Sequence, residues 1–205
     1  MDALQELLQR SRQTDAVVFD VGNVLIRYDP PHIARTLLPE NHRQALAEAM
    51  FTPGEWYWGR FDEGLVPDEE AAERIACRAG LPGCGGEVLH ALYHFHEDRV
   101  PLPLAQALPA FRKTGKKLVA LTNYNEKAFG LLRDRFDFFR CFDGVVVSGE
   151  EKLWKPMPAF YRLALERYGL TPGRTLMIDD REENTAAAAA LGMQTWLYPV
   201  PDDAD

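Results

Sequence analysis

Four short apolar runs, each closing on a polar residue, constrain this chain more than any other feature. They are Ala16-Val17-Val18-Phe19 before Asp20, Lys117 to Thr122, Gly144 to Ser148, and Thr175 to Asp179. Thr195-Trp196-Leu197-Tyr198 makes a fifth. Unbroken apolar runs of this length are what strands buried on both faces look like. Helical patterns separate them at 103–114, 125–135, 157–168 and 183–191. Strands alternating with amphipathic helices predict βαβ units with right-handed crossovers, hence an α/β fold with a parallel sheet flanked by helices. Ahead of the first strand, Leu4, Leu7 and Leu8 recur at helical spacing and predict a lead-in helix over 2–12.

The stretch from Pro30 to Pro101 breaks this rhythm. It offers no strand, only helical segments near 31–38, 41–50, 68–79 and 86–97 between Pro- and Gly-containing turns. It reads as an all-helical insertion between the first and second strands. It carries 12 acidic and 6 basic residues, most of the chain's net charge of −8, and all five histidines. A total of 205 residues allows one core domain plus a small inserted unit of this kind. The division expected is a core of 1–29 and 102–205 with a helical unit at 30–101.

The charge balance excludes whole classes of function. Non-specific nucleic-acid or anionic-membrane binding needs a basic surface, and this chain is acidic. No apolar run approaches the roughly 18–20 residues of a spanning helix, and the first residues do not read as a secretory signal. Three cysteines without a CxxC pair fit reduced thiols in a cytoplasmic protein. Oligomeric state is left open.

Ligands of open parallel sheets bind at the carboxyl ends of the strands. The residues there are Asp20, Thr122 with Asn123, Ser148, and Asp179 with Asp180. Three carboxylates on one edge raise one another's pKa unless a cation sits among them. Hard oxygen ligands in small number suit Mg²⁺, which keeps some waters and also contacts phosphate.

This constellation resembles the haloacid-dehalogenase-like (HAD) superfamily, which has a Rossmann-like core. Four motifs carry the resemblance, in order and across nearly the whole chain. They are Val17-Val18-Phe19-Asp20-Val21-Gly22-Asn23-Val24-Leu25, then Leu121-Thr122-Asn123, then the lysine of Trp154-Lys155-Pro156, then Ile178-Asp179-Asp180 through Asn184 to Gly192. The resemblance implies that Asp20 attacks phosphorus to form an aspartyl-phosphate. It also implies that Thr122, Asn123 and the following amides hold phosphoryl oxygens, and that Lys155 neutralises phosphate and nucleophile. Asp20, Asp179, Asp180 and the Gly22 carbonyl would place Mg²⁺, and Asn184 would orient the acidic pair. The implied activity is a Mg²⁺-dependent phosphomonoesterase for a small phosphorylated metabolite, a sugar phosphate, closed over by a helical cap.

One position departs from the pattern. Most HAD phosphatases carry a general acid two residues after the nucleophile, where this chain has Gly22. Its loss costs on the order of 10²–10⁴ in rate. The Asp-x-Gly-Asn-Val form looks most like the glucose-1-phosphate phosphatase branch, and Gly54 to Gly64 sits where that branch carries a cap loop. Asp29 and His32 are the nearest substitutes in sequence. The family's 2-haloacid dehalogenases also lack this acid, so a dehalogenase is the alternative, and a catalytically weak HAD-fold binding module is a third reading. Dehalogenases need no metal and typically lack the acidic pair that this chain keeps.

Lesser signals have weaker claims. His90, His94 and His96 share helix faces without a second ligand pair, and Tyr93 and Phe95 are interleaved. Trp56, Tyr57, Trp58 and Phe61 fit a sugar-binding wall or the insertion's own core equally well. Asp68-Glu69-Glu70 reads as a helix N-terminus, and Cys77 and Cys141 as buried small hydrophobes.

Overall fold

Every side chain of the strand β1 (Ala16–Phe19) is buried, so this strand must lie in the middle of a sheet with both faces covered. A computed structural model describes residues 2–199 and shows this. The other strands are β2 (Lys117–Thr122), β3 (Gly144–Val147), β4 (Thr175–Asp179) and β5 (Gln194–Leu197). All pair in parallel, in the order β3-β2-β1-β4-β5. Register places Phe19 beside Ala120 and Ile178. Asp20 therefore leaves the sheet level with Asp179, and its N–H still donates to the Ile178 carbonyl at 2.9 Å.

Alternate strand residues feed two separate apolar layers, as a two-residue period requires. Val17, Phe19, Leu118 and Ala120 face one layer, while Ala16, Val18, Val119 and Leu121 face the other. The second layer is closed by α10 (Pro158–Arg167), through Phe160, Tyr161 and Ala164, and by Ala188 of α11 (Glu182–Ala190). The first is closed by α1 (Ala3–Arg10), α7 (Pro103–Phe111) and α8 (Glu126–Arg135), and it runs on into the interior of the insertion.

The insertion carries α2 (Pro30–Leu37), α3 (Arg43–Phe51), α4 (Gly59–Glu63), α5 (Asp68–Arg78) and α6 (Gly85–His94) and, among the described residues, no sheet strand. Chain exit and return are tied together: Ile26 bridges Pro101, and the Leu102 N–H donates to the Leu25 carbonyl at 2.8 Å. Trp58 sits at the insertion's aromatic centre, with Phe51, Phe61, Phe95 and Tyr28 rings 5.3–6.2 Å from one another along the contact chain. Arg78 ends the long loop before α4 by donating to the carbonyls of Ala49, Thr52 and Trp56 at 2.8–3.0 Å.

A second joint fixes α4 to the sheet edge. Ser148 opens α9 (Ser148–Glu151) and its hydroxyl donates to the Asp62 carbonyl while accepting the Tyr124 N–H at 2.9 Å. Asn125 donates to Asp68 Oδ1 at 2.8 Å and caps α8 through the Ala128 N–H at 2.9 Å. The approach is so close that a Cβ on Gly64 would strike the Gly149 carbonyl, and one on Gly149 would lie 2.7 Å from Glu126 N and 2.8 Å from the Tyr124 carbonyl.

The expected strands and helices are present, with ends shifted by a few residues. The strand expected to end at Ser148 ends at Val147, because Ser148 already begins α9, its carbonyl accepting the Lys152 N–H at 2.8 Å. The helix expected over 103–114 turns into a tighter 3₁₀ turn after Phe111. Neither α4 nor α9 is visible as a periodic pattern, since each spans barely a turn. Cys77 corrects the reading above: it lies exposed on α5, its Sγ 3.6 Å from Glu73 Oε1. Among the described residues no helix is long and apolar enough to cross a membrane.

Two alanine substitutions separate close approach from helix propensity. Gly149→Ala should lose about 1–3 kcal/mol, since backbone atoms must move. Gly130→Ala, inside α8 with open space around it, should gain roughly 0.5–1 kcal/mol. Urea unfolding of both variants checks this, and equal effects would contradict the tight joint.

Candidate active site

The carboxyl ends of β1, β2 and β4 open into a cavity of about 630 Å³ between sheet and insertion. At its base a lysine ammonium bridges two acids. Lys155 Nζ lies 2.8 Å from Asp20 Oδ1 and 2.7 Å from Asp179 Oδ2, and all three side chains are at most 10% exposed. The lysine cannot drift, because its backbone is clamped: the Lys155 N–H donates to Asn123 Oδ1 at 2.7 Å and Asn123 Nδ2 donates to the Lys155 carbonyl at 2.9 Å. Burial works against its charge, yet Asp179 and Asp20 outweigh burial and hold the ammonium above the ordinary lysine range.

Each acid has its own support. Asp20 Oδ1 also takes the Val21 N–H at 2.6 Å, so Oδ2 is the oxygen left for a reaction partner. Asp179 accepts from Lys155 on Oδ2, and from the Arg181 N–H and Asn184 Nδ2 on Oδ1 at 3.0 and 2.9 Å. Asp180 is half-buried and takes Asn23 Nδ2 at 3.1 Å. Asn23 can reach it because its backbone is left-handed, with φ 55°, a region asparagine tolerates.

One ammonium does not balance three carboxylates. Burial pushes Asp20 up to about 7, with Lys155 opposing and Asp179 and Asp180 adding to the rise. Burial also raises Asp180. Oxygens of Asp20, Asp179 and Asp180 lie within 4.8 Å of one another. A compact, oxygen-only donor set with surplus negative charge is what a hard divalent cation requires, so these residues fit the Mg²⁺ that the sequence resemblance implies.

The remaining sequence candidates fall into two groups. Gly22 and Asn123 line the cavity beside Asp20, Lys155 and Asp180. Thr122, 1% exposed at the end of β2, lies outside the lining. Asn184 orients Asp179 as expected. Asp29 instead caps α2 through the His32 N–H at 3.0 Å, and His32 Nε2 meets Asp98 Oδ2 at 2.5 Å, so neither substitute acid reaches the cavity lining. His94 pairs with Glu97, and the histidine-containing cluster that does form is His42 with Cys84 and Glu87. Of the aromatic loop, Tyr57 and Trp58 line the cavity, Phe61 is core, and Trp56 packs against the Arg74 guanidinium.

Sequence reading missed Asp62, Tyr28 and Tyr124, all of which line the cavity. Burial raises Asp62 well above the usual carboxylate range, with Asp20 adding to the rise. The Tyr124 hydroxyl is buried with no hydrogen-bond partner. Asp62 could have been suspected from its place between glycines in the Gly54–Gly64 loop, but nothing in its spacing marked it.

Residues 14–192 match the family model for haloacid dehalogenase-like hydrolases. The chain is 25% identical over 180 residues to the sesquiterpene phosphatase astK of Aspergillus oryzae, covering 87% of this chain and 86% of that protein. It is 26% identical over 199 residues to the drimenol cyclase drtB of Aspergillus calidoustus, covering 92% of this chain but 34% of that protein, so it spans about a third of that relative. The HAD family enzyme bt-2542 from Bacteroides thetaiotaomicron, solved in complex with magnesium and inorganic phosphate, shares the fold at a TM-score of 0.72 and 21% identity, covering 93% and 97% of the two chains.

The raised Asp20 carboxyl makes stability depend on pH in a defined sense. Folded Asp20 holds its proton up to about 7 and the unfolded side chain only to 3.8, so the folded state binds more protons in between and stability falls as pH rises through that window. Asp180 and Asp62 shift in the same direction. Urea unfolding in EDTA from pH 4 to pH 7 should show the decline. Asp20→Asn should make it shallower; an unchanged slope in the variant would contradict the assignment.

Proposed function

The chain belongs to the haloacid dehalogenase-like hydrolase family, and on that premise we propose that it is a Mg²⁺-dependent phosphomonoesterase working through a phosphorylated Asp20. The observation that carries the reading is the buried Lys155 ammonium shared between Asp20 and Asp179, with Asp180 alongside, facing a cavity large enough for a metabolite.

The roles of the side chains follow from charge. A carboxylate approaching a phosphate dianion meets repulsion that fixed positive charge must offset. Lys155 supplies one such charge, and Asn123 and Asp179 hold it in place. Asp20, Asp180 and the Gly22 carbonyl would hold the metal, with Asp179 adding charge next to them. A bound divalent cation would neutralise the remaining negative charge at the nucleophile and the phosphoryl oxygens. Asp20 Oδ2 then bonds to phosphorus as the ester P–O bond breaks, and water releases phosphate and regenerates the carboxylate. Phosphoryl contacts fall on the loop that starts at Asn123, whose carboxamide also fixes Lys155, while Thr122, buried at the end of β2 outside the cavity lining, sets where that loop begins. The intact acidic pair favours this reaction over haloacid dehalogenation.

The helical insertion at 30–101 serves as a cap that walls the cavity, excludes water during transfer and sets specificity. A sugar phosphate is the first substrate proposed, its ring lying against Tyr57 or Trp154, with Arg181 and Glu183 at the polar side. The apolar wall of Ile26, Met50, Phe51, Trp58, Leu92 and Phe95 favours a second reading, a prenyl or terpenoid monophosphate, which accords with the phosphatase relative named above. Cys77, Cys84 and Cys141 are all free thiols, which supports a reducing, cytoplasmic setting.

Phosphate release from glucose 1-phosphate and from farnesyl phosphate, each with Mg²⁺ and with EDTA, tests both parts. Turnover should require Mg²⁺ and fall by on the order of 10⁴-fold or more in Asp20→Asn. The preferred ester decides between the two substrate classes. Full activity in EDTA, or equal activity in the variant, would contradict the proposal.

A further inference from the structure

We propose that Asp62, carried by α4 of the helical insertion, is the general acid and base that the sheet edge lacks at Gly22. The inference rests on the phosphatase reading and adds to it the group that protonates the leaving oxygen.

Elimination within the cavity points to this residue. Its lining acids are Asp20, Asp62, Glu63, Asp180 and Glu183. Asp20 is bound to Lys155, Asp180 to Asn23, Glu63 to Arg60 at 2.8 Å, and Glu183 to Arg181 at 2.6 Å. Among the described residues no Lys, Arg or His pairs with Asp62; it is half-buried, borders the cavity, and its carboxyl takes only the Asn125 backbone N–H. A carboxyl facing the cavity without a counter-cation, its desolvation outweighing that single N–H, favours the protonated form that a general acid needs.

Position supports chemistry. The Asp62 carbonyl is held by the Ser148 hydroxyl and the preceding Phe61 carbonyl by Asn125 Nδ2 at 3.4 Å. Ser148 opens α9 just past β3 and Asn125 caps α8 just past β2, so both lie at the carboxyl edge of the sheet that carries Asp20. Asp62 is thus referenced to the nucleophile through the core, although it belongs to the insertion. The buried Tyr124 hydroxyl, which has no partner, borders the same cavity. It offers a further donor for an ester oxygen entering there.

The step balances. Asp20 Oδ2 forms a bond to phosphorus, and the P–O bond to the leaving group breaks with its electron pair going to that oxygen. The Asp62 proton passes to the same oxygen, so an alcohol departs and Asp62 is left as carboxylate. That carboxylate then takes a proton from the water that attacks phosphorus. The P–O bond to Asp20 breaks, returning the Asp20 carboxylate, inorganic phosphate and a protonated Asp62.

Leaving-group dependence tests this directly, because protonation matters for a poor leaving group and hardly for a good one. The probes are phenyl phosphate and p-nitrophenyl phosphate, with Mg²⁺. Wild-type kcat/KM should differ little between them. Asp62→Asn should lose about 10²-fold or more with phenyl phosphate and less than about 3-fold with p-nitrophenyl phosphate. Adding Gly22→Asp to that variant should restore phenyl phosphate turnover, since a Cβ at Gly22 meets only the Tyr28 Cβ at 4.0 Å. An equal loss with both esters would overturn the proposal. A steep difference between the esters in the wild type would overturn it too, whether or not the variant folds. Absence of any Asp20-dependent turnover would instead sink the phosphatase reading, and this proposal with it.

Discussion

Burying one ammonium between two carboxylates, with a third carboxylate nearby, is the constraint from which the rest of this structure follows. Removing such charges from water costs several kcal/mol for each ion after relaxation, and apolar side chains of similar volume would fill the space at less cost. The arrangement persists only because every partner is positioned: Asn123 grips the Lys155 backbone, Asn184 and the Arg181 N–H hold Asp179, and Asn23 holds Asp180. A central strand flanked by β2 and β4 supplies the rigid frame, since it delivers Asp20 and Asp179 side by side. Stability is spent at this edge, and the surplus negative charge there favours a cation.

The helical insertion is bound to that frame at two places with different characters. The Ile26–Pro101 and Leu25–Leu102 pairings join the two crossing strands of chain. The α4 joint instead depends on glycine: only a residue without a side chain lets Gly64 and Gly149 approach so nearly. Through Ser148 and Asn125 this joint sets the height of α4 above the sheet edge. Side chains of the insertion that line the cavity are therefore held in register with Asp20 by backbone contacts, not by the cavity wall alone.

Legibility in the sequence tracks how local each signal is. Strands buried on both faces announce themselves as unbroken apolar runs, so β1 to β4 and the parallel sheet could be read from a few residues each. Asp20, Asp179 and Asp180 were readable because they end such runs, and Lys155 through its motif. The partners were not. Asn123 was read beside the phosphoryl group, and that its carboxamide pairs with Lys155 across 32 residues is something no local pattern shows. Ser148 was read as a strand end, yet its work is to hold Asp62 across 86 residues. Asp62 lies in a helix of five residues, too short to display a period, and its place at the cavity is fixed by such distant contacts. Cys77 was misread because one face of α5 is exposed where an isolated thiol gave no sign of it.

The proposed reaction requires Asp20 to form a covalent bond to phosphorus. Mixing the protein with a turned-over phosphate ester and Mg²⁺, quenching in acid within the first turnover and mapping peptides by mass spectrometry addresses it most directly. The expected result is one phosphoryl group on the peptide containing Asp20, lost on brief exposure to base and absent from Asp20→Asn. Rapid turnover with no phosphoryl group on Asp20 at any quench time, or with the group on another side chain, would contradict the account.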